Sequence, residues 1–324
     1  ISIGGSMFRD LLIVEGLTKD FSGKKVLEDV NFRVREGEGF GILGKPGSGK
    51  TTLIHTLRGT RGFKPTSGDV IFRVCTCECG KIERLSKRGT ICERCGGSFE
   101  IEEINYWENE GTRLFRELTN RNAIMLQRSF SLYSELMVTG NLEEALREID
   151  YPWSKRKKRI IEMLEKVNMM HRIDYSARDL SGGEKQRIIL ARQLIKNPIV
   201  FFADEPTGTI DPKTGEIVNE ALRNEITEGL TMVVASRRME TLLPICDRTM
   251  LLEEGQVISI EKTGDIAERF SDEIEEIEKR NLFGENPGIV VENCSKSFYM
   301  MGKVVRAVWN VNFTINEGEI FGII

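Results

Sequence analysis

Gly39-Phe40-Gly41-Ile42-Leu43-Gly44-Lys45-Pro46-Gly47-Ser48-Gly49-Lys50-Thr51-Thr52 decides the fold. An apolar run of strand length passes straight into a glycine-rich loop. Lys50 to Arg58 follows with Leu53, Ile54 and Leu57 on one helical face. Glycines at 44, 47 and 49 let the backbone curl until several amides point at one phosphate, and the helix adds its positive end. Lys50 is placed to reach terminal phosphates and Thr51 to ligate Mg2+. A plain glycine turn before a helix would not need the complete eight-residue pattern in this strand–loop–helix setting.

Working outward, Leu11 to Val34 reads as short strands around a turn at Phe21-Ser22-Gly23-Lys24. Residues 69–103 differ in composition and read as an inserted module rich in Cys, Gly and charge. Ser129 to Asp179 reads as mainly helical, and a helix follows Ser181. The apolar run Ile199-Val200-Phe201-Phe202-Ala203 ends in Asp204-Glu205-Pro206, and a further strand covers Thr231 to Ala235. An acidic pair at the end of a buried strand suits Mg2+ and a water-activating base. The charged stretch Glu261 to Asn281 reads as a helical linker.

Leu180-Ser181-Gly182-Gly183-Glu184-Lys185-Gln186-Arg187 sharpens the reading. Ser181 can cap a helix whose first amides, left bare by two glycines, can bind an anion. With the phosphate loop upstream and Asp204-Glu205 downstream, it resembles the signature of ATP-binding-cassette (ABC) proteins, with Glu184 where the family more often has Gln. The resemblance implies an α/β fold: a P-loop NTPase domain with a RecA-like core, an antiparallel β subdomain and a helical subdomain. It implies that Glu205 is the general base, that Asp204 holds Mg2+ through water, and that Gln127 touches Mg2+ and couples the helical subdomain to the site. By the same resemblance Phe21 stacks on adenine, Asp211 lies in the dimer-contact loop, and residues 44–52 bind ATP. Ser181, Gly182, Gly183 and Glu184 would serve the opposite site of a cassette pair. Where the family usually has a switch histidine, an ungapped count from Thr231 to Asp247 reaches Arg237. Guanidinium contacts phosphate but does not share a proton as imidazole does, so slow hydrolysis or structural ATP is expected there.

Five of the seven cysteines lie between Cys75 and Cys95. Cys75-Thr76-Cys77-Glu78-Cys79 and Cys92-Glu93-Arg94-Cys95 resemble the knuckles of a zinc ribbon, four of the five thiolates closing a structural Zn2+ site. The first knuckle leaves Cys75 or Cys77 as partner of Cys79. An iron–sulfur cluster is the rival metal.

Asn31 to Leu43 recurs without a gap as Asn312 to Ile324. The expected organisation is a possible extension at 1–6, a first ABC domain at 7–262 carrying the insert at 69–103, a linker at 263–287, and the start of a second ABC domain at 288–324 that continues past Ile324. The second cassette is therefore an expected partner. At 324 residues, 40% hydrophobic, 30% charged and net charge −4, the chain gives no electrostatic case for nucleic acid, and no apolar stretch spans a bilayer. A cytoplasmic location is expected. Tandem cassettes, no membrane segment and a cysteine insert containing Glu83-Arg84-Leu85-Ser86-Lys87 together look like the component A2 family of the methyl-coenzyme M reductase system of methanogenic archaea. That resemblance implies ATP-dependent reductive activation of a nickel enzyme, with a complex containing methyl-coenzyme M reductase as partner. The rivals are a ribosome-associated twin cassette, a transporter ATPase subunit and a non-hydrolysing ATP-bound scaffold.

Overall fold

A computed structural model describes residues 10–126, 132–149, 151–208, 212–271, 286–300, 303–319 and 321–322. The chain order is β1 Asp10–Phe21, β2 Lys24–Arg35, β3 Gly39–Leu43, α1 Lys50–Arg58, β4 Ser67–Thr76, β5 Ile82–Glu83, β6 Glu100–Asn105, α2 Arg113–Arg121, β7 Asn122–Leu126, α3 Val138–Glu148 and α4 Trp153–Lys166. It continues through α5 Gly182–Leu194, β8 Val200–Asp204, α6 Pro212–Thr227, β9 Thr231–Ser236, α7 Met239–Leu242, β10 Arg248–Glu253, β11 Gln256–Lys262, α8 Thr263–Ser271, β12 Pro287–Met300 and β13 Lys303–Asn316. Residues 10–271 belong to one compact unit and the β12–β13 hairpin to another.

The first unit has two sheets. In the larger, ordered β11-β10-β3-β9-β8-β7, the strands from β10 to β7 pair in parallel and β11 turns back antiparallel. Its central strands are apolar without alternation because both faces are covered. Phe201 and Ala203 join the core under α3, α4, α5 and α6, while Val200 and Phe202 join the core shared with α1 and the antiparallel sheet. The smaller sheet runs β2-β1-β4-β5, with β6 also on β4. No helix among the described residues is long and apolar enough to cross a membrane.

Several boundaries depart from the sequence reading. The expected short strands at 11–34 are two 12-residue strands, kept continuous by bulges that break strict alternation. The compositional break at Asp69 falls inside β4, which pairs with β1 from Leu12 to Thr18. The module proper is therefore the tip of the β4–β6 hairpin. The expected linker from 263 begins too early: α8 buries Ile266 fully, and the Thr263 amide donates to Asp247 O at 3.1 Å. Charge on its outer face concealed that apolar anchor.

The β12–β13 hairpin reproduces details of β1–β2. Asn31 accepts from Gly16 N at 2.7 Å and donates to Asp29 O at 2.7 Å. Asn312 accepts from Asn293 N at 2.6 Å and donates to Asn310 O at 2.9 Å. Asp29 and Asn310 share the left-handed conformation, with φ of 47° and 49°. Glu38 and Glu319 each accept the amide that closes their hairpin, from Arg35 at 2.8 Å and Asn316 at 2.7 Å.

Candidate functional site

The carboxyl ends of β3, β8 and β9 converge, as ligand sites do in open parallel sheets. Residues 44–49 join β3 to α1. Gly49 caps the helix at φ 101°, and a Cβ there would lie 2.8 Å from Leu27 Cδ2 and Val26 O, so only glycine lets the loop close against β2. Lys50, buried, donates to Gly44 O at 2.7 Å and Lys45 O at 2.9 Å. Burial holds its pKa below the ordinary lysine value, with Glu205 and Asp204 opposing and Arg237 reinforcing.

Thr51 Oγ1 donates to Asp204 Oδ2 at 2.6 Å. Burial raises the Asp204 pKa against that hydrogen bond. Its Oδ1 is buried without a hydrogen-bond partner, and so is Ser48 Oγ. Buried oxygens left short of partners beside a lysine fit a hydrated divalent cation and a phosphate.

Glu205 follows at φ 51°, a conformation non-glycine residues rarely adopt. Its amide extends the ladder to Ala235 O at 2.8 Å. Its carboxylate accepts from Arg237 N at 2.8 Å and from Ser236 Oγ at 3.2 Å. Arg237 stands immediately after β9, with its amide against Glu205. Ser236 was missed because the strand was read as ending at Ala235; a small polar residue directly after the apolar run Met232 to Ala235 was the available signal.

Ser181 caps α5 in a capping box: its Oγ accepts from Glu184 N at 3.3 Å, and Glu184 Oε2 accepts from Ser181 N at 2.8 Å. The Arg172 guanidinium donates to Glu184 Oε1 at 2.7 Å. Although burial opposes it, the Ser181 amide and Arg172 hold the Glu184 pKa below its ordinary value. The departure from Gln therefore has a local reason. A Cβ on Gly183 would lie 2.8 Å from Thr214 Cγ2 of α6, whereas one on Gly182 would meet nothing. Gln186 Nε2 donates to Pro206 O at 2.6 Å and ties α5 to the Asp204-Glu205 turn, a link that the motif alone did not reveal. Phe21 is exposed and packs edge-on against Phe63, their centroids 5.7 Å apart. Gln127 and Asp211 lie outside the described residues.

The Sγ atoms of Cys77, Cys79, Cys92 and Cys95 lie within 4.8 Å of one another. Cys79 Sγ is 3.9 Å from Cys77 and 3.8 Å from Cys92, and Cys77 is 3.1 Å from Cys95. A tetrahedron of thiolates about 2.3 Å from one ion has edges near 3.8 Å, so these donors fit a single metal. Cys75 is excluded from the group: it is fully buried, its Sγ faces Leu85 O at 3.6 Å, and burial pushes its thiol up to about 11. Arg84 fastens the module to the core, donating to Gly229 O at 3.2 Å and Pro198 O at 2.9 Å. Ser86 N donates to Glu36 Oε1 at 3.1 Å. These acceptors precede β9, β8 and β3, so the cysteines sit at the opposite end of the parallel sheet from the phosphate loop.

Residues 27–208 match the ABC transporter family. The chain belongs to this family of ATP-binding, ATP-hydrolysing cassettes, for which ATP and Mg2+ are the expected ligands. An ABC transporter ATP-binding protein of Methanocaldococcus jannaschii, described as uncharacterized, is 38% identical over 99% of this chain and 60% of its own length. A second such protein from that organism is 31% identical over 96% of this chain and 52% of its own. The chain thus spans little more than half the length of these relatives. Among solved structures, an ABC transporter cassette determined as a dimer is 26% identical, with a TM-score of 0.58 over 78% of this chain and 99% of that one.

Proposed function

We propose that this cassette is one half of a tandem, two-site ATP clamp that works on a protein partner. Hydrolysis at the Lys50 site would proceed with Glu205 as base. The Lys50 ammonium and the loop amides hold the phosphates, while Thr51 and Asp204 hold the cation. Mg2+ in such a site offsets charge on the transferred phosphate. Glu205 takes the proton of the attacking water, held in place by its own fixed backbone. Ser181 and the amides of Gly182 and Gly183 serve the facing site of the other cassette.

The observation that carries the tandem reading is the shared hydrogen-bond pattern of β1–β2 and β12–β13, down to the asparagine clamp. Relatives of which this chain spans 60% and 52% leave room for a complete second cassette. With Arg237 in the switch position and only its amide on Glu205, turnover is slow compared with a site that has an imidazole there.

The four-cysteine module holds Zn2+ as a structural ion and offers a docking face remote from ATP. Its resemblance to the component A2 family makes a cytoplasmic complex containing methyl-coenzyme M reductase the proposed partner, activated by ATP-driven closure. Affinity purification of the full-length protein from its native cell tests this. Recovery of that enzyme in an ATP-dependent manner supports the reading. Recovery of ribosomal particles instead favours the translation-related rival.

A further inference from the structure

We propose that Ser236 is the positioning residue for the Glu205 carboxylate, taking over at this site the orienting task that a switch histidine would perform. The proposal rests on Glu205 being the base.

Glu205 is fixed through its backbone and through both carboxylate oxygens. Its backbone is pinned in the left-handed region at φ 51° by the amide bond to Ala235 O. One carboxylate oxygen accepts from the Arg237 amide at 2.8 Å. The other accepts from Ser236 Oγ at 3.2 Å. The hydroxyl has its own orientation set, because Arg238 N donates to Ser236 Oγ at 3.0 Å. With the oxygen serving as acceptor to Arg238, its single proton is free to point at Glu205. Ser236 is fully buried, so water does not compete for that proton.

The Arg237 side chain plays no part in this cradle: it is exposed, and only its backbone touches Glu205. Of the groups on the carboxylate, Ser236 is therefore the one whose side chain sets its angle. A base must be aimed to within a hydrogen-bond length of its proton donor, and a carboxylate freed on one side rotates. The loss falls on the chemical step, because Ser236 meets the phosphate loop through its backbone carbonyl, which accepts from Gly44 N at 3.4 Å and which the substitution keeps.

The test is ATP turnover by the full-length protein, its second site disabled, carrying S236A, S236T and E205Q, singly and with S236A and E205Q combined. A hydrogen bond to a charged group corresponds to about a tenfold change in rate. S236A is expected to lower kcat about tenfold with KM for ATP within about twofold, and S236T, which keeps the hydroxyl, to restore most of the rate. In the E205Q background S236A should add no further loss, because both changes act on one group. Wild-type kcat in S236A, no rescue by S236T, or a full tenfold further loss on top of E205Q would overturn the assignment. Wild-type turnover in E205Q would instead remove Glu205 as base, and with it the role given to Ser236.

Discussion

At the residue scale, the cysteines show most plainly what a spacing can and cannot say. Cys75, Cys77 and Cys79 alternate along a strand end, so either of the first two could reach Cys79 on spacing alone. The end of the strand decides: residues 75 and 77 would share a face in a continuous strand, but β4 stops at Thr76. Cys75, still on β4, is buried in a small cluster with Cys77, Cys92 and Phe99, its Sγ turned to Leu85 O. Cys77 and Cys79 lie past Thr76, at the tip, with Cys92 and Cys95. Elemental analysis of purified variants checks the assignment. Cys75→Ser should retain one metal equivalent per chain, whereas Cys77→Ser or Cys79→Ser should lose most of it; loss in Cys75→Ser with retention in Cys77→Ser would reverse it. The phosphate loop, the signature and the acidic pair were readable because each residue type has one chemical job at a fixed spacing. Ser236 and Gln186 were not, since a serine or glutamine acquires meaning only from what the fold sets beside it.

At the element scale, the glycine loop and the two buried strands were legible because nothing else in a sequence combines those residues in that order. Helix α8 was not. Its charged exposed face matched the expected linker, whereas the fully buried Ile266 holds it to the core. Ile266→Ala should cost about 3 kcal/mol by cavity formation, read from denaturant unfolding of the chain. A loss under about 0.5 kcal/mol would mean that α8 is not anchored and that the linker starts where the charge pattern suggested. The strands β1 and β2 were underestimated for a related reason. Their bulges at Gly16 and Asp29 interrupt the alternation that marks a strand, yet these same irregularities recur in β12–β13 and expose the repeat.

At the scale of the whole molecule, the parallel sheet separates two chemistries. Lys50, Asp204 and Glu205 gather at its carboxyl end, and the cysteine module hangs from Glu36, Pro198 and Gly229 at its amino end. Five strand residues put roughly 16 Å between the two ends. Removing the metal with a chelator should therefore lower the unfolding temperature of the protein while leaving ATP affinity within about twofold, measured by fluorescence titration. A tenfold loss of affinity on chelation would show that the module reaches the nucleotide site after all.

The central claim is that ATP held at Lys50 is hydrolysed with Glu205 as base. It is tested most directly by ATP turnover of the Glu205→Gln protein at saturating nucleotide, with the second site disabled. The account predicts retained ATP binding and a fall in turnover of at least about 100-fold. Turnover within twofold of the parent protein, with binding intact, would contradict it.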